Sequence, residues 1–174
     1  AFQHWREKCF ERFNGMWALA VLDTVDREIF LCRDRFGIKP LYLTETRNGI
    51  LFSSELKFFR VLNNELRLNA DVAGNYIQKC LLDYNENTFF QGIHSLPAAH
   101  YFVFSTEGEL LEKKRYWDLD LGENIEMPPE EAAEQVRALL LSSLTLRMRS
   151  DVSVGALLSG GLDSSSIVSL LCKY

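Results

Sequence analysis

Apolar residues recur at helical spacing from the start of the chain. Phe2, Trp5, Cys9, Phe10 and Phe13 predict one buried face of a helix. The pattern then becomes continuous. "GMWALAVLD", Gly15 to Asp23, lies between an Asn-Gly pair and the polar "DTVDRE", and it predicts a buried strand. A turn and a second strand follow at "EIFLCRD", Glu28 to Asp34. A third strand is predicted at Leu41 to Thr44, a hairpin turn at Arg47 to Gly49, and a fourth strand at "ILFSS". Ser54 is the predicted N-cap of a helix from Glu55 to Leu62. Asp71 is the predicted cap of a second helix, which runs through Leu82. "HYFVFS" and "LEKKRYWDLD" predict a late hairpin around Gly108.

From Leu121 the pattern shifts. "LGENIEMPPEE" is polar and acidic with a Pro pair, and it reads as a linker running into a helix start. Glu130 and Glu131 suit the positive end of that helix, and Arg147 and Arg149 its negative end. Ala132, Ala133, Val136, Leu139, Leu140, Ser143 and Leu144 form its predicted apolar stripe. A strand at Val152 to Leu158 and a helix at Ser164 to Tyr174 complete an α, β, α series. The chain therefore divides into residues 1–120, rich in antiparallel-type hairpins, a linker at 121–129, and a second region at 130–174.

Composition narrows the classes. The 174 residues are 47% hydrophobic and 25% charged, with 12 Phe, as in a globular domain with a large core. The net charge of −5 argues against a general nucleic-acid binder. No apolar run approaches a membrane span, and "AFQHWREKCF" is not a signal peptide, so the expectation is a cytoplasmic protein without membrane or nucleic-acid partners. Cys9, Cys32, Cys80 and Cys172 are dispersed in apolar contexts, which predicts four buried free thiols. The chain opens at Ala1 in mid-pattern, so it reads as an internal piece of a longer protein.

The chemistry concentrates in "LLSGGLDSSS". An apolar strand, a Gly-rich turn and a helix start together favour an anion. Glycines let the backbone approach closely. The first helical N–H groups lack internal partners, and the macrodipole adds positive potential. Ser159, Ser164 and Ser165 add hydroxyls. There is no Lys as in a Walker A loop, and neither G-x-S-x-G nor G-x-G-x-x-G is present. Asp163 would repel a bare phosphate, so its place in the turn suggests a divalent cation bridging to phosphates. A capped strand–helix connection without a ligand remains the alternative.

"SGGLDSS" resembles the pyrophosphate-binding loop of the ATP-pyrophosphatase class. With "SDVSVGALLSGGLDSSSIVSLL" around it, and with "RFNGMWALAVLD", "FLCRDRFGIKPLY", "LFSSELKFF", "GIHSLPAAHYFVF" and "YWDLD" in order before it, the chain resembles the glutamine-hydrolysing asparagine synthetases over nearly its whole length. The resemblance implies a class II glutamine amidotransferase. Its glutaminase part would be an α+β N-terminal-nucleophile fold, a stacked αββα sandwich. The start of an α/β pyrophosphate-loop synthetase domain would follow. It implies aspartate, glutamine and ATP as small-molecule substrates, Mg2+ as cofactor, β-aspartyl-AMP as intermediate, and asparagine, glutamate, AMP and pyrophosphate as products. A homodimer is compatible with it.

The family's residues carry over unevenly. Leu157 would line the adenine side, Ser159, Gly160, Gly161, Ser164 and Ser165 would hold ATP phosphates, and Asp163 would hold the metal. The glutaminase nucleophile is an N-terminal Cys, which this chain lacks, and Cys9 on an apolar face is no substitute. No residue here is assigned as catalytic, and the piece alone is expected to be inactive. Asn14-Gly15 belongs to a core-strand block rather than the oxyanion hole. Arg33, Asp34 and Arg35 read as scaffold and domain contact. At "LPAAHY" the family usually has Gly before the His. Two other readings stay open: a related amide-forming enzyme of β-lactam-synthetase or peptide-cyclising type, and a non-catalytic binding or regulatory homologue.

Overall fold

The structure is a computed structural model that describes residues 1–47, 49–62, 66–122 and 126–173. The chain forms two compact units, Ala1–Leu119 and Asp120–Tyr174.

The first unit opens with α1 (Phe2–Trp5) and a 3-10 segment, Arg6–Arg12. Strands β1 (Ala18–Asp23), β2 (Glu28–Arg33), β6 (His100–Ser105) and β7 (Leu110–Arg115) make an antiparallel sheet in the order β1-β2-β6-β7. Strands β3 (Tyr42–Thr46), β4 (Gly49–Ser53) and β5 (His94–Ser95) make a second, in the order β4-β3-β5. Helices α2 (Lys57–Leu62) and α3 (Ala70–Lys79) lie between β4 and β5 in sequence.

Strand alternation places the core. Successive side chains point to opposite faces, so the central strands β2 and β6 supply two cores at once. Phe30, Cys32, Tyr101 and Val103 meet Cys9, Phe10 and Tyr116 on one face. Leu31, Phe102 and Phe104 meet Leu41, Leu43 and Leu96 on the other. The second core joins the two sheets, since Leu43 belongs to β3 and Leu96 follows β5.

Several expectations change. The opening helix is interrupted at Arg6, which adopts φ 48°. Its guanidinium binds Asp23 at 2.6 Å, Asp26 at 2.7 Å and Glu28 at 2.8 Å, across the β1–β2 hairpin. These long-range ion pairs accompany a break in the helical run. Cys9 and Phe10 remain fully buried, while Trp5 leaves the core and lies beneath the Arg12 guanidinium. The first strand is half-buried rather than buried, because β1 is the edge of its sheet. Ser53, not Ser54, accepts the Glu55 N–H, and helix α2 starts later, at Lys57. Asn69, not Asp71, caps α3, with Val72 N donating to its side chain. That helix ends at Cys80, whose left-handed φ of 53° turns the chain before Leu82. The β3–β4 hairpin pairs Thr46 with Gly49, and Asn48 of its turn lies outside the described residues. The late hairpin forms as expected around Gly108, at φ 92°.

The second unit contains α4 (Pro129–Arg147) and α5 (Leu162–Lys173). Glu130 and Glu131 lie in the first turn of α4, and near its end Arg147 bonds Ser143 O at 3.1 Å and Ser143 Oγ at 2.6 Å. The expected apolar stripe of α4 is not buried: Val136, Leu139 and Leu140 are exposed. Ala133, Val136 and Leu140 line a groove of about 400 Å³ with Ser166, Ser169 and Leu170 of α5. The expected strand at Val152 to Leu158 is absent among the described residues. A strand exists only as a partner in a ladder, and the described elements of this unit are two helices.

The four thiols are free, but only Cys9 and Cys32 are buried. Cys80 is exposed at the turn that ends α3, and Cys172 on α5, a helix without buried residues. Among the described residues no helix is long and apolar enough to cross a membrane.

Candidate functional site

The block "RDRFGIK" forms a closed polar turn in the first unit. Asp34 is 1% exposed. Its Oδ1 accepts from Phe36 N at 3.1 Å and Ile38 N at 3.0 Å, and its Oδ2 from Lys39 N at 2.9 Å and Trp17 N at 3.2 Å. A buried carboxylate is tolerated when its lone pairs are filled in this way. Arg33 donates to the carbonyls of Gly37, Lys39 and Leu96 and to Ser95 Oγ, at 2.7–2.8 Å. Arg35 reaches the carbonyls of Glu11 and Phe13. All three side chains are engaged in holding backbone, as a scaffold would require.

The neighbouring "LPAAHY" departure has a backbone explanation. Ala99 sits at φ 60° and is 2% exposed. Its N–H donates to Asp34 O at 2.9 Å and its carbonyl accepts from Tyr116 N at 2.8 Å. This is a left-handed position, where glycine is the unstrained choice. A glycine before His100 would adopt this conformation without strain.

Cys9 is shut away from chemistry. It is fully buried, and burial pushes its thiol up. Burial pushes the Cys32 thiol up to about 12. A thiol held protonated is a poor nucleophile. Asn14 and Gly15 are exposed on the approach to β1.

The glycine–serine loop lies at the head of α5, a helix of 12 residues. Gly160 has φ 82°, a conformation that L side chains rarely adopt, and a Cβ built there would meet nothing within 4 Å. The loop is tied by its own serines. Ser159 Oγ and Ser164 Oγ are 2.8 Å apart, and Ser159 N donates to Ser164 Oγ at 3.3 Å. Gly161 N donates to Ser159 Oγ at 3.4 Å, and Ser164 Oγ to Gly161 O at 3.2 Å. The first α-helical bond behind the loop runs from Ser165 N to Gly161 O at 3.2 Å. The N–H groups of Leu162, Asp163 and Ser164 precede that bond and have no intrahelical acceptor.

Thus Ser159, Gly160, Gly161, Asp163, Ser164 and Ser165 are gathered within one turn. Leu157 is 95% exposed. Asp163 is exposed in the first turn, and nothing among the described residues bonds its carboxylate. Among the described residues no group of three His, Cys, Asp or Glu side chains could hold a metal. Mg2+ does not need one, since it usually keeps several waters and takes one or two carboxylates plus phosphate oxygens. Asp163 beside the free N–H groups fits that mode.

A cavity of about 500 Å³ in the first unit is lined by Arg33, Tyr84, Glu86, Ser95, Ala98 and His100, among others. Arg33, Ser95 and His100 come from the ends of three different strands and the others from the connections between elements, so neither spacing nor periodicity marks them.

Residues 1–117 match the family described as glutamine amidotransferase domain, and residues 135–174 match asparagine synthase. A putative glutamine-hydrolyzing asparagine synthetase 2 of Methanocaldococcus jannaschii is 34% identical over 169 residues, 95% of this chain and 32% of the relative. The glutamine-hydrolyzing asparagine synthetase 3 of Bacillus subtilis is 33% identical over 176 residues, 100% of this chain and 28% of the relative. Amidase chyE of Penicillium rubens is 30% identical over 173 residues, 98% of this chain and 25% of the relative. The chain thus spans about a quarter to a third of the length of these curated relatives. With two antiparallel sheets in its first unit and a serine–glycine loop in its second, the chain belongs to the glutamine amidotransferase domain family and carries in its last residues a match to asparagine synthase.

Proposed function

We propose that the chain forms part of a glutamine-hydrolysing, ATP-dependent asparagine synthetase. In this reading residues 1–120 belong to a glutaminase domain of the αββα N-terminal-nucleophile type, residues 121–129 are a linker, and residues 130–174 begin the nucleotide-binding domain. The protein would act in the cytoplasm on small molecules: ATP, aspartate and glutamine. ATP would activate the aspartate side chain as an acyl adenylate, and ammonia from glutamine would convert it to asparagine.

The loop at the head of α5 carries this reading. Its free N–H groups and helix dipole suit the charge that pyrophosphate acquires as it leaves. Ser159, Gly160, Gly161, Ser164 and Ser165 form the anion-facing turn, with Leu157 on the adenine side. Asp163 would hold Mg2+, which when bound neutralises phosphate charge. The chain's own contribution is to fix the donors before the substrate arrives, so that little reorganisation accompanies the reaction.

The test uses the full reading frame that carries these residues. Asp163→Asn should lower Mg2+-dependent pyrophosphate release at least a hundredfold and leave glutamine hydrolysis nearly intact. Equal loss of both activities would overturn the assignment. Pyrophosphate release that requires an acceptor other than aspartate would move the protein to another class of amide-forming synthetase.

A further inference from the structure

The cavity of about 500 Å³ in the first unit is lined by polar groups with bonding capacity left over. A guanidinium has five N–H hydrogens. Arg33 gives four of them, at 2.7–2.8 Å, to the carbonyls of Lys39, Leu96 and Gly37 and to Ser95 Oγ, which leaves one on Nη2. Ser95 is 7% exposed. Its oxygen accepts from the guanidinium, which has no lone pair to return, so the Ser95 hydrogen meets no acceptor among the described residues. Two donors therefore adjoin, one of them on a buried side chain. A buried donor without an acceptor is costly, and a carboxylate can answer two donors at once. The remaining polar groups are acceptors. His100 Nδ1 lies 2.8 Å from the Ala98 carbonyl, which can only accept, so Nδ1 carries the hydrogen and Nε2 of the neutral ring keeps a lone pair. Asp83 and Glu86 are exposed on the connection after α3, and neither carboxylate has a hydrogen bond or ion pair among the described residues. Set against the one charge of Arg33, these two carboxylates leave the lining one negative charge in excess.

We propose that this cavity binds a small basic α-amino acid of the lysine or ornithine kind. The ligand's carboxylate takes the Ser95 hydroxyl and the remaining Arg33 N–H. Its ammonium groups meet Asp83, Glu86 and His100 Nε2. Three observations select that class. The adjoining donors suit a two-oxygen anion, the unbonded acceptors suit N–H donors, and the excess negative charge suits a ligand of net charge about +1 at neutral pH. A simple anion would face two carboxylates, and a diamine would leave the Ser95 hydrogen without an acceptor. Phe36, Pro97 and Ala98 offer apolar surface to an alkyl chain, and the volume lies within the range of small-molecule pockets. The site stands on this cavity alone. It does not depend on the adenylating reading, whose substrates include no basic amino acid.

The experiment titrates the full-length protein with L-lysine in a calorimeter, beside two probes that each lack part of it: 1,5-diaminopentane, without the carboxylate, and hexanoate, without the ammonium groups. L-Lysine should bind saturably, and each probe at least tenfold more weakly, as for lost hydrogen bonds to charged groups. Asp83→Asn combined with Glu86→Gln should raise the Kd for L-lysine at least tenfold. Asn tolerates the left-handed φ of 53° at that position, so the backbone is kept. Ser95→Ala should raise the Kd for L-lysine about tenfold and leave that for 1,5-diaminopentane unchanged, a split that a folding defect would not produce. Absence of saturable L-lysine binding would overturn the proposal, as would wild-type affinity in the double variant. Equal affinity for L-lysine and 1,5-diaminopentane would show that Ser95 and Arg33 hold no carboxylate and would overturn the amino-acid class. Pyrophosphate release in Asp163→Asn is a separate measurement, so the adenylating reading and this site can fail independently.

Discussion

Two aspartates show how differently the two units use polar groups. Asp34, in the first unit, is 1% exposed and receives four backbone N–H groups. Asp163, in the second, is exposed, and no described residue bonds its carboxylate. Both come shortly after an apolar run and close to a glycine, Asp34 before Gly37 and Asp163 after Gly161. Position within the short motif does not separate them. The surroundings do. Burying a charged group is costly, so a buried carboxylate persists only when saturated, and a saturated carboxylate has nothing left for a ligand. An exposed one at a helix start keeps its coordination sites. The same contrast runs through the apolar residues. Phe10, Leu31 and Phe104 are at most 1% exposed in the first unit, whereas neither helix of the second unit has a buried residue.

The sharpest way to break this comparison is Phe10→Ala. Phe10 packs against Phe2, Phe13, Tyr101 and Tyr116, so its removal should cost about 3–5 kcal/mol in denaturant unfolding. A loss below about 1 kcal/mol would mean the opening segment is not part of the core. Asp34→Asn should cost about 2–3 kcal/mol, because an amide places N–H donors where other N–H groups already point. Near wild-type stability would show that the carboxylate does not hold the turn. Ala99→Gly sharpens the comparison from the other side. Relief of left-handed strain, about 1–2 kcal/mol, is opposed by glycine's greater unfolded entropy and the lost buried methyl, together about as large. The melting free energy should stay within about 1 kcal/mol of wild type, and a larger loss would show that the methyl packs tightly. Leu139→Ala, at a site 70% exposed in α4, should change stability by no more than about 0.5 kcal/mol. A larger change would reveal a buried surface for that helix.

Local patterns were readable where a single interaction decides the outcome. The apolar run Ile29 to Cys32 and the run Tyr101 to Phe104 became central strands, because both of their faces are covered. Gly108 marked its hairpin, since a positive φ there requires little else. Legibility failed where distant groups compete. The helical spacing from Phe2 to Phe13 gave no warning of Arg6, whose ion pairs lie 17 to 22 residues away. Asn69 outcompeted Asp71 as a cap, a shift of two residues that spacing does not resolve. Cys80 looked buried from its apolar neighbours, but the left-handed turn after α3 exposes it.

The sequence by itself determined the family, the order of its blocks and the loop that carries the proposed chemistry. It did so because glycines, serines and an acid at fixed spacing constrain a backbone locally, whatever surrounds them. Only the tertiary structure decided that Asp34 is a saturated tie and that Arg6 interrupts the opening helix and pairs across the β1–β2 hairpin. Those outcomes depend on which donors and acceptors meet across the fold. A hydrogen bond exists only at the distance that packing sets, and residue type alone does not carry that distance.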